Sequence, residues 1–359
     1  MSEAKTIPPK LNKAGLGAVE ALITEWFRAK LSVGRDTAIT IKAPSDGYSG
    51  DTYVVSIANA AADAPTRYVM RAQLGAANNP ESYYDKMVRL LSYLSQRGDM
   101  PVPHVRFVEA DERIIGGPFF VMDFVEGKPA PDIPPFTVAG WFFDADARDR
   151  ERAYVSGLAA VARLQSIDVD EAGLAYLKHD GTHAAQTRNH LEYLINLYDV
   201  GVDGTRSPLL HDTICWLQRN VPDVSRYVIS WGDCRPGNML FRTFECVAAL
   251  DWEMCALADP AADIAWWINS DIYYALETGT VLDGQLGREA MREHFARLRG
   301  NALDHLDYFQ VFSALRIAVI HVHMIQKWAR AGQNLFGEGN SLHNNPSTRL
   351  VEKVTRQLL

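Results

Sequence analysis

The stretch Trp231-Gly232-Asp233-Cys234-Arg235-Pro236-Gly237-Asn238, followed by Val247-Ala248-Ala249-Leu250 and then Asp251-Trp252-Glu253, decides how the chain is read. Tyr227-Val228-Ile229-Ser230 runs into it and Met239-Leu240-Phe241 runs out of it, so a polar loop lies between two short strands and a carboxylate ends the next one. Asn238 comes five residues after Asp233, and Asp251 thirteen after Asn238. Phosphoryl transfer from a nucleotide asks for few protein groups. It needs a carboxylate to orient and deprotonate an acceptor hydroxyl, and hard oxygen ligands for the magnesium on the phosphates. The pattern supplies them, with Asp233 as the base and Asn238 and Asp251 as metal ligands. Pro236 and Gly237 suit the tight return that turns the Asn238 amide back toward a metal. Arg235 offers a cation that can neutralise charge on the transferring phosphoryl group; its plainer reading is a surface salt bridge.

Upstream of this loop the pattern is short and strand-like. Ala38 to Ile41, Thr52 to Ile57 and Arg67 to Ala72 read as an antiparallel meander punctuated by turn formers. A helix is predicted over Pro80 to Gln96, where Met87, Leu90, Leu91 and Leu94 recur at helical spacing. Two extended runs follow, His104 to Glu109 and Pro118 to Val125. Beyond the proline-rich connector Pro129 to Pro135 the periodicity turns mainly helical, over Arg148 to Leu164, Thr187 to Tyr198, Pro208 to Arg219, Gly287 to Arg299 and Asp307 to Arg330. The reading is α+β with two lobes: residues 1–124 form a nucleotide-binding lobe with a leading helical segment, and 125–359 a catalytic and substrate-binding lobe.

Composition narrows the partners. Lys and Arg number 36 against 44 Asp and Glu, and the net charge of −8 opposes attraction to nucleic acid or an anionic membrane. Cys215, Cys234, Cys246 and Cys255 form no Cys-x-x-Cys pair, which points to reduced thiols rather than a disulfide framework or structural zinc. The opening residues lack the apolar run of a signal peptide, and a cytoplasmic protein is expected. His321 and His323 lie two apart on a predicted helix, so their rings diverge and make no metal site. The oligomeric state is not legible.

The loop resembles that of the aminoglycoside phosphotransferase and choline kinase family, His-Gly-Asp-x-x-Pro-x-Asn followed by Asp-x-Glu or Asp-x-Asp. Ala258-Asp259-Pro260-Ala261-Ala262-Asp263-Ile264-Ala265-Trp266-Trp267 is similar to the family's next segment. Pro101-Val102-Pro103, Gly117 to Met122 and the Trp-Gly-Asp start bring it nearest the branch fused to some acyl-CoA dehydrogenases.

The resemblance implies a kinase-like fold using ATP or GTP and magnesium, with a small-molecule hydroxyl as acceptor: aminoglycoside-like, choline-like or a hydroxyacyl thioester. It implies that Gly47, Tyr48, Ser49 and Gly50 in a turn approach the triphosphate, that Arg71 pairs with phosphates, and that Met122, Asp123, Phe124 and Val125 meet the adenine through their backbone. Asp259 and Asp263 are expected to brace the loop.

The chain departs from the pattern at Trp231, where the loop usually has His, at Arg71 for Lys, at Met87 for Glu and at Gln165 for His. These departures motivate a second reading, a nucleotide-binding regulator without catalysis. Acids around Asp199, Asp203 and Asp271 would suit a cationic acceptor.

Overall fold

The computed structural model describes residues 16–42, 52–58, 64–73, 83–170, 173–177, 183–202, 206–330, 332–333 and 340–359. The chain divides into two compact units, Met1–Glu126 and Gly127–Leu359.

The first unit opens with helix α1 (Leu16–Leu31) and strands β1 (Ile39–Lys42), β2 (Thr52–Ile57) and β3 (Thr66–Ala72). Helix α2 (Tyr83–Arg97) and strands β4 (Val105–Glu109) and β5 (Phe119–Asp123) complete it. The sheet is antiparallel in the order β1-β2-β3-β5-β4. The meander thus holds for the first three strands, and β5 then inserts beside β3 and leaves β4 at the edge. Alternation sets the faces. Tyr53, Val55 and Ile57 of β2 point inward with Met70, Phe119 and Val121, and Ile23, Trp26 and Phe27 of α1 cover them. Phe120 turns to the opposite face, where its ring meets Tyr84 of α2 at 6.0 Å.

The second unit contains α3 (Ala147–Gln165), α4 (His183–Gly201), α5 (Pro208–Arg219), β6 (Val228–Ser230), β7 (Met239–Arg242), β8 (Glu245–Ala249) and β9 (Ala256–Ala258). It ends with α6 (Ala261–Thr278), α7 (Arg288–Arg299), α8 (Leu306–Arg330) and α9 (Pro346–Leu358). Two antiparallel ribbons, β6 with β9 and β7 with β8, carry the loop and turn of the sequence motif. Helix α8 is long and apolar enough to span a bilayer, but 67% of its apolar window is buried, and it serves as the core against α4, α5, α6 and α9. Gly157 lets α3 approach closely, because a Cβ there would lie 2.6 Å from Met239 Sδ and 2.7 Å from the Trp267 ring. The Trp267 ring also packs at 5.2 Å from Tyr154.

Candidate active site

Residues 231–238 leave β6 and enter β7, and backbone geometry fixes where they go. Gly232 has φ +88°, and a Cβ on it would sit 2.2 Å from the Met254 carbonyl oxygen. Glycine is therefore required both for conformation and for space. Pro236–Asn238 form a single 3-10 turn, with the Asn238 amide donating to Arg235 O at 3.0 Å. Asp251 adopts a left-handed conformation (φ 61°, ψ 61°) just past β8, where the chain turns sharply.

Short bonds hold the loop and this turn in one frame. Asn238 Nδ2 donates to the Asp233 carbonyl at 2.9 Å, and the Leu250 amide donates to the Asn238 carbonyl at 2.8 Å. Trp231 Nε1 donates to the Leu250 carbonyl at 2.8 Å, and its ring stacks on Trp252 with centroids 5.4 Å apart. An apolar tryptophan thus occupies the usual histidine position, packed beneath the loop and also bonded to the residue before Asp251.

Asp263 fastens the start of the loop. Its carboxylate is fully buried and accepts from Ser230 Oγ at 2.8 Å, Gly232 N at 2.9 Å, Trp231 N at 3.2 Å and Gln165 Nε2 at 3.3 Å. Burial raises its pKa, and these donors oppose that rise. Gln165, which stands where the family pattern has His, is thus one of its partners. Asp259 caps the first turn of α6 through Ala261 N at 2.8 Å and lies 2.7 Å from His305 Nδ1.

Around the Asp233 carboxylate the structure adds to Arg235, named from the sequence, three groups that sequence reasoning missed: Trp266, Asp132 and Tyr274. Asp233 Oδ1 accepts from Trp266 Nε1 at 2.8 Å and from Arg235 Nε at 3.1 Å. Arg235 Nη1 bonds Asp132 Oδ1 at 2.7 Å and Tyr274 Oη at 3.3 Å. Arg235 is therefore held in two partly buried ion pairs rather than in one on the open surface. Burial opposes its charge, but Asp233, Tyr274 and Asp132 outweigh that and raise its pKa well above the usual guanidinium range. Gly237 makes room for the cluster, since a Cβ would stand 2.3 Å from Arg235 Nη1 and 2.8 Å from Asp132 Oδ1. Burial pushes the Cys234 thiol well up, so this neighbour of Asp233 is no activated nucleophile.

The donor chemistry fits magnesium. With the Asn238 amide nitrogen bonded to Asp233 O, its Oδ1 is the atom left for a cation, and Asp251 supplies a carboxylate, both hard oxygen donors. Among the described residues no group of three or more His, Cys, Asp or Glu is placed to hold a metal ion.

In the first unit, Gly47, Tyr48, Ser49 and Gly50 lie outside the described residues. Arg71 sits on β3, opposite Thr52 on β2 and Phe120 on β5. Its charge acts on Tyr84, whose phenol burial raises well above the usual range, with Asp85 adding and Arg71 opposing. Met87, where the family pattern has Glu, is buried. In the 122–125 segment, Met122 pairs with Val69 within the sheet. The Asp123 amide donates to His104 O at 2.9 Å and that of Phe124 to Arg67 O at 3.1 Å, and Val125 follows the strand.

Asp199 and Asp271, two of the three acids noted in the sequence, are each engaged with a neighbour. Asp199 pairs with Arg206 at 2.6 Å, Asp203 lies outside the described residues, and Asp271 accepts from Tyr154 Oη at 2.9 Å. Asp271 Oδ1 is enclosed without a hydrogen-bond partner among the described residues. His321 faces Tyr273 at 5.4 Å while His323 Nε2 lies 2.6 Å from the Leu197 carbonyl, so the two rings diverge as read from sequence.

A sequence profile of the phosphotransferase enzyme family matches residues 40–300. Among curated proteins, acyl-CoA dehydrogenase family member 10 of Mus musculus is 24% identical over 324 residues, covering 86% of this chain and 28% of that protein. The chain spans about a quarter to two fifths of the length of the curated relatives it matches. Among solved structures, a candidate aminoglycoside phosphotransferase from Ralstonia eutropha aligns with a TM-score of 0.71 at 18% identity, covering 95% of this chain and 99% of that one. The GDP complex of aminoglycoside 2'-phosphotransferase-IIIa aligns with a TM-score of 0.56 at 16% identity, covering 94% and 98%. The fold is kinase-like.

Proposed function

The chain belongs to the phosphotransferase enzyme family, and from that premise we propose that it moves the γ-phosphate of ATP to a hydroxyl of a small molecule, with Asp233 as base and Asn238 and Asp251 as magnesium ligands. The observation that carries this reading is the frame around the loop. Bonds from Asn238 to Asp233, from Leu250 to Asn238 and from Trp231 to Leu250 tie base and metal ligands to one another.

Asp233 orients the acceptor hydroxyl and takes its proton as the phosphoryl group arrives. Magnesium on Asn238 and Asp251, when bound, supplies charge neutralisation on the phosphates. Arg71 and the 47–50 turn are proposed to hold the phosphates, and 122–125 the base of the nucleotide. With the Asp123 and Phe124 amides already engaged, carbonyl groups and the Val125 amide are the backbone groups assigned to it.

For the acceptor, the paired or enclosed state of Asp132, Asp199 and Asp271 argues against a polycation. A neutral or anionic alcohol is proposed, of the hydroxyacyl thioester kind, in keeping with the acyl-CoA dehydrogenase relatives. The test is ADP release from MgATP with an aminoglycoside, choline and a hydroxyacyl-coenzyme A as acceptors. Turnover is expected with the thioester and is abolished in Asp233→Ala. Thermal stabilisation by MgATP without turnover on any acceptor, unchanged in Asp233→Ala, would favour the regulator instead.

A further inference from the structure

We propose that Trp266 is a positioning residue for this reaction: with Arg235 it saturates Oδ1 of Asp233 and thereby makes Oδ2 the oxygen that receives the acceptor proton. The inference rests on Asp233 being the base and goes beyond it by saying which atom acts and what holds it.

A carboxylate has two equivalent oxygens, and the torsion that exchanges them is broad and roughly two-fold. Left alone it presents either oxygen over a range of angles. Here two N–H donors converge on Oδ1, from Trp266 Nε1 at 2.8 Å and from Arg235 Nε at 3.1 Å. They come from different elements, α6 and the loop itself, so together they fix the plane of the group as well as its position.

Both donors are themselves held. Arg235 is tied to Asp132 and Tyr274. Trp266 is 7% exposed, its carbonyl accepts from Ser270 Oγ at 2.9 Å, and the Arg316 guanidinium from α8 lies over its ring at 5.3 Å. A cation over an indole face is attracted to the ring and draws on its electrons, which favours N–H donation at the edge. Indole N–H is a donor only, so it cannot reverse its role and compete for the proton.

The neighbouring Trp267 has a different task. It is fully buried against Tyr154 and packs the core, so two adjacent tryptophans divide structural and positioning work. Holding a reacting group within a fraction of an ångström matters because misplacement by about 1 Å costs on the order of 100-fold in rate.

Trp266→Phe keeps an aromatic ring and deletes the N–H. The expected result is a fall in kcat of about 10- to 100-fold, with KM for MgATP and for the acceptor within about twofold of wild type and the thermal midpoint nearly unchanged. A variant that changes only KM or only stability overturns the proposal. Among the eight tryptophans, the indole 15N–1H peak missing in Trp266→Phe identifies this side chain. In Asp233→Ala that peak is expected to move upfield, as a donor losing its carboxylate does. If Trp266→Phe does not fold, the same shift of one indole peak in Asp233→Ala decides the contact, and an indole region indifferent to that change overturns it. Absence of ADP release in the wild-type protein with every acceptor would instead defeat the kinase reading, whatever the indole peak does.

Discussion

Gly237 shows how much a single missing side chain contributes at this site. Alanine there would press on Arg235 Nη1 and Asp132 Oδ1, in a cluster that already engages one oxygen of Asp233. Gly237→Ala is expected to lower kcat at least tenfold while leaving global stability within about 1 kcal/mol, as small changes away from the core do; steady-state kinetics and denaturant unfolding check both.

Asp271 offers a second test. Burial raises its pKa well above the carboxylate range, opposed by the bond from Tyr154. The folded protein therefore holds this proton more tightly than the unfolded chain does. Its contribution is most favourable at or below the usual carboxylate range and declines as pH rises through the raised value. Asp271→Asn cannot ionise, so the variant should gain on wild type as pH goes from about 4 to 8, read as a widening gap in thermal midpoint. The three polar residues proposed for chemistry were legible because their spacing is fixed along the chain. Trp266, Asp132 and Tyr274 were not, since Trp266 reaches Asp233, and Asp132 and Tyr274 reach Arg235, from elsewhere in the fold, and nothing in Trp266-Trp267 says which ring carries the useful N–H.

Elements place these residues, and the join between α6 and the loop matters most. Asp263 lies in the first turn of α6 but spends its carboxylate on Ser230, Trp231 and Gly232 rather than on its own helix. Asp263→Ala strands those donors in a buried site, and a loss of about 3–5 kcal/mol is expected from denaturant unfolding. Gly232→Ala attacks the same join from the other side. A φ of +88° costs roughly 1–3 kcal/mol in strain for a side-chain-bearing residue, and the clash with Met254 O would displace the turn after Asp251. Activity should therefore fall further than stability.

Strand alternation and helical spacing gave most element positions to within a few residues, as at β2 and α5. Two of the elements that escaped show why. β9 is three residues whose pairing with β6 is visible only in three dimensions, and α9 begins at a capping box on Asn345 with Thr348 in place of Glu or Gln. The bracing by Asp263 was expected, but its pairing with Gln165, 98 residues away, is visible only in three dimensions.

At the scale of the molecule, each unit has its own core, one under α1 and one around α6 and α8. Val55 and Val319 are both fully buried, one in each. Truncation to alanine is expected to cost about 2 kcal/mol at either site. Calorimetry should show two transitions, Val55→Ala lowering one and Val319→Ala the other. Trp231 has a consequence for the environments in which such a protein can work. The clasp between the Asp233 loop and the turn at Asp251 is an indole donating to the Leu250 carbonyl. Histidine, the residue the family pattern places there, gains a proton as the medium sours through its ordinary range near 6.5. An indole gains none, so in this chain acidification leaves that clasp chemically as it was.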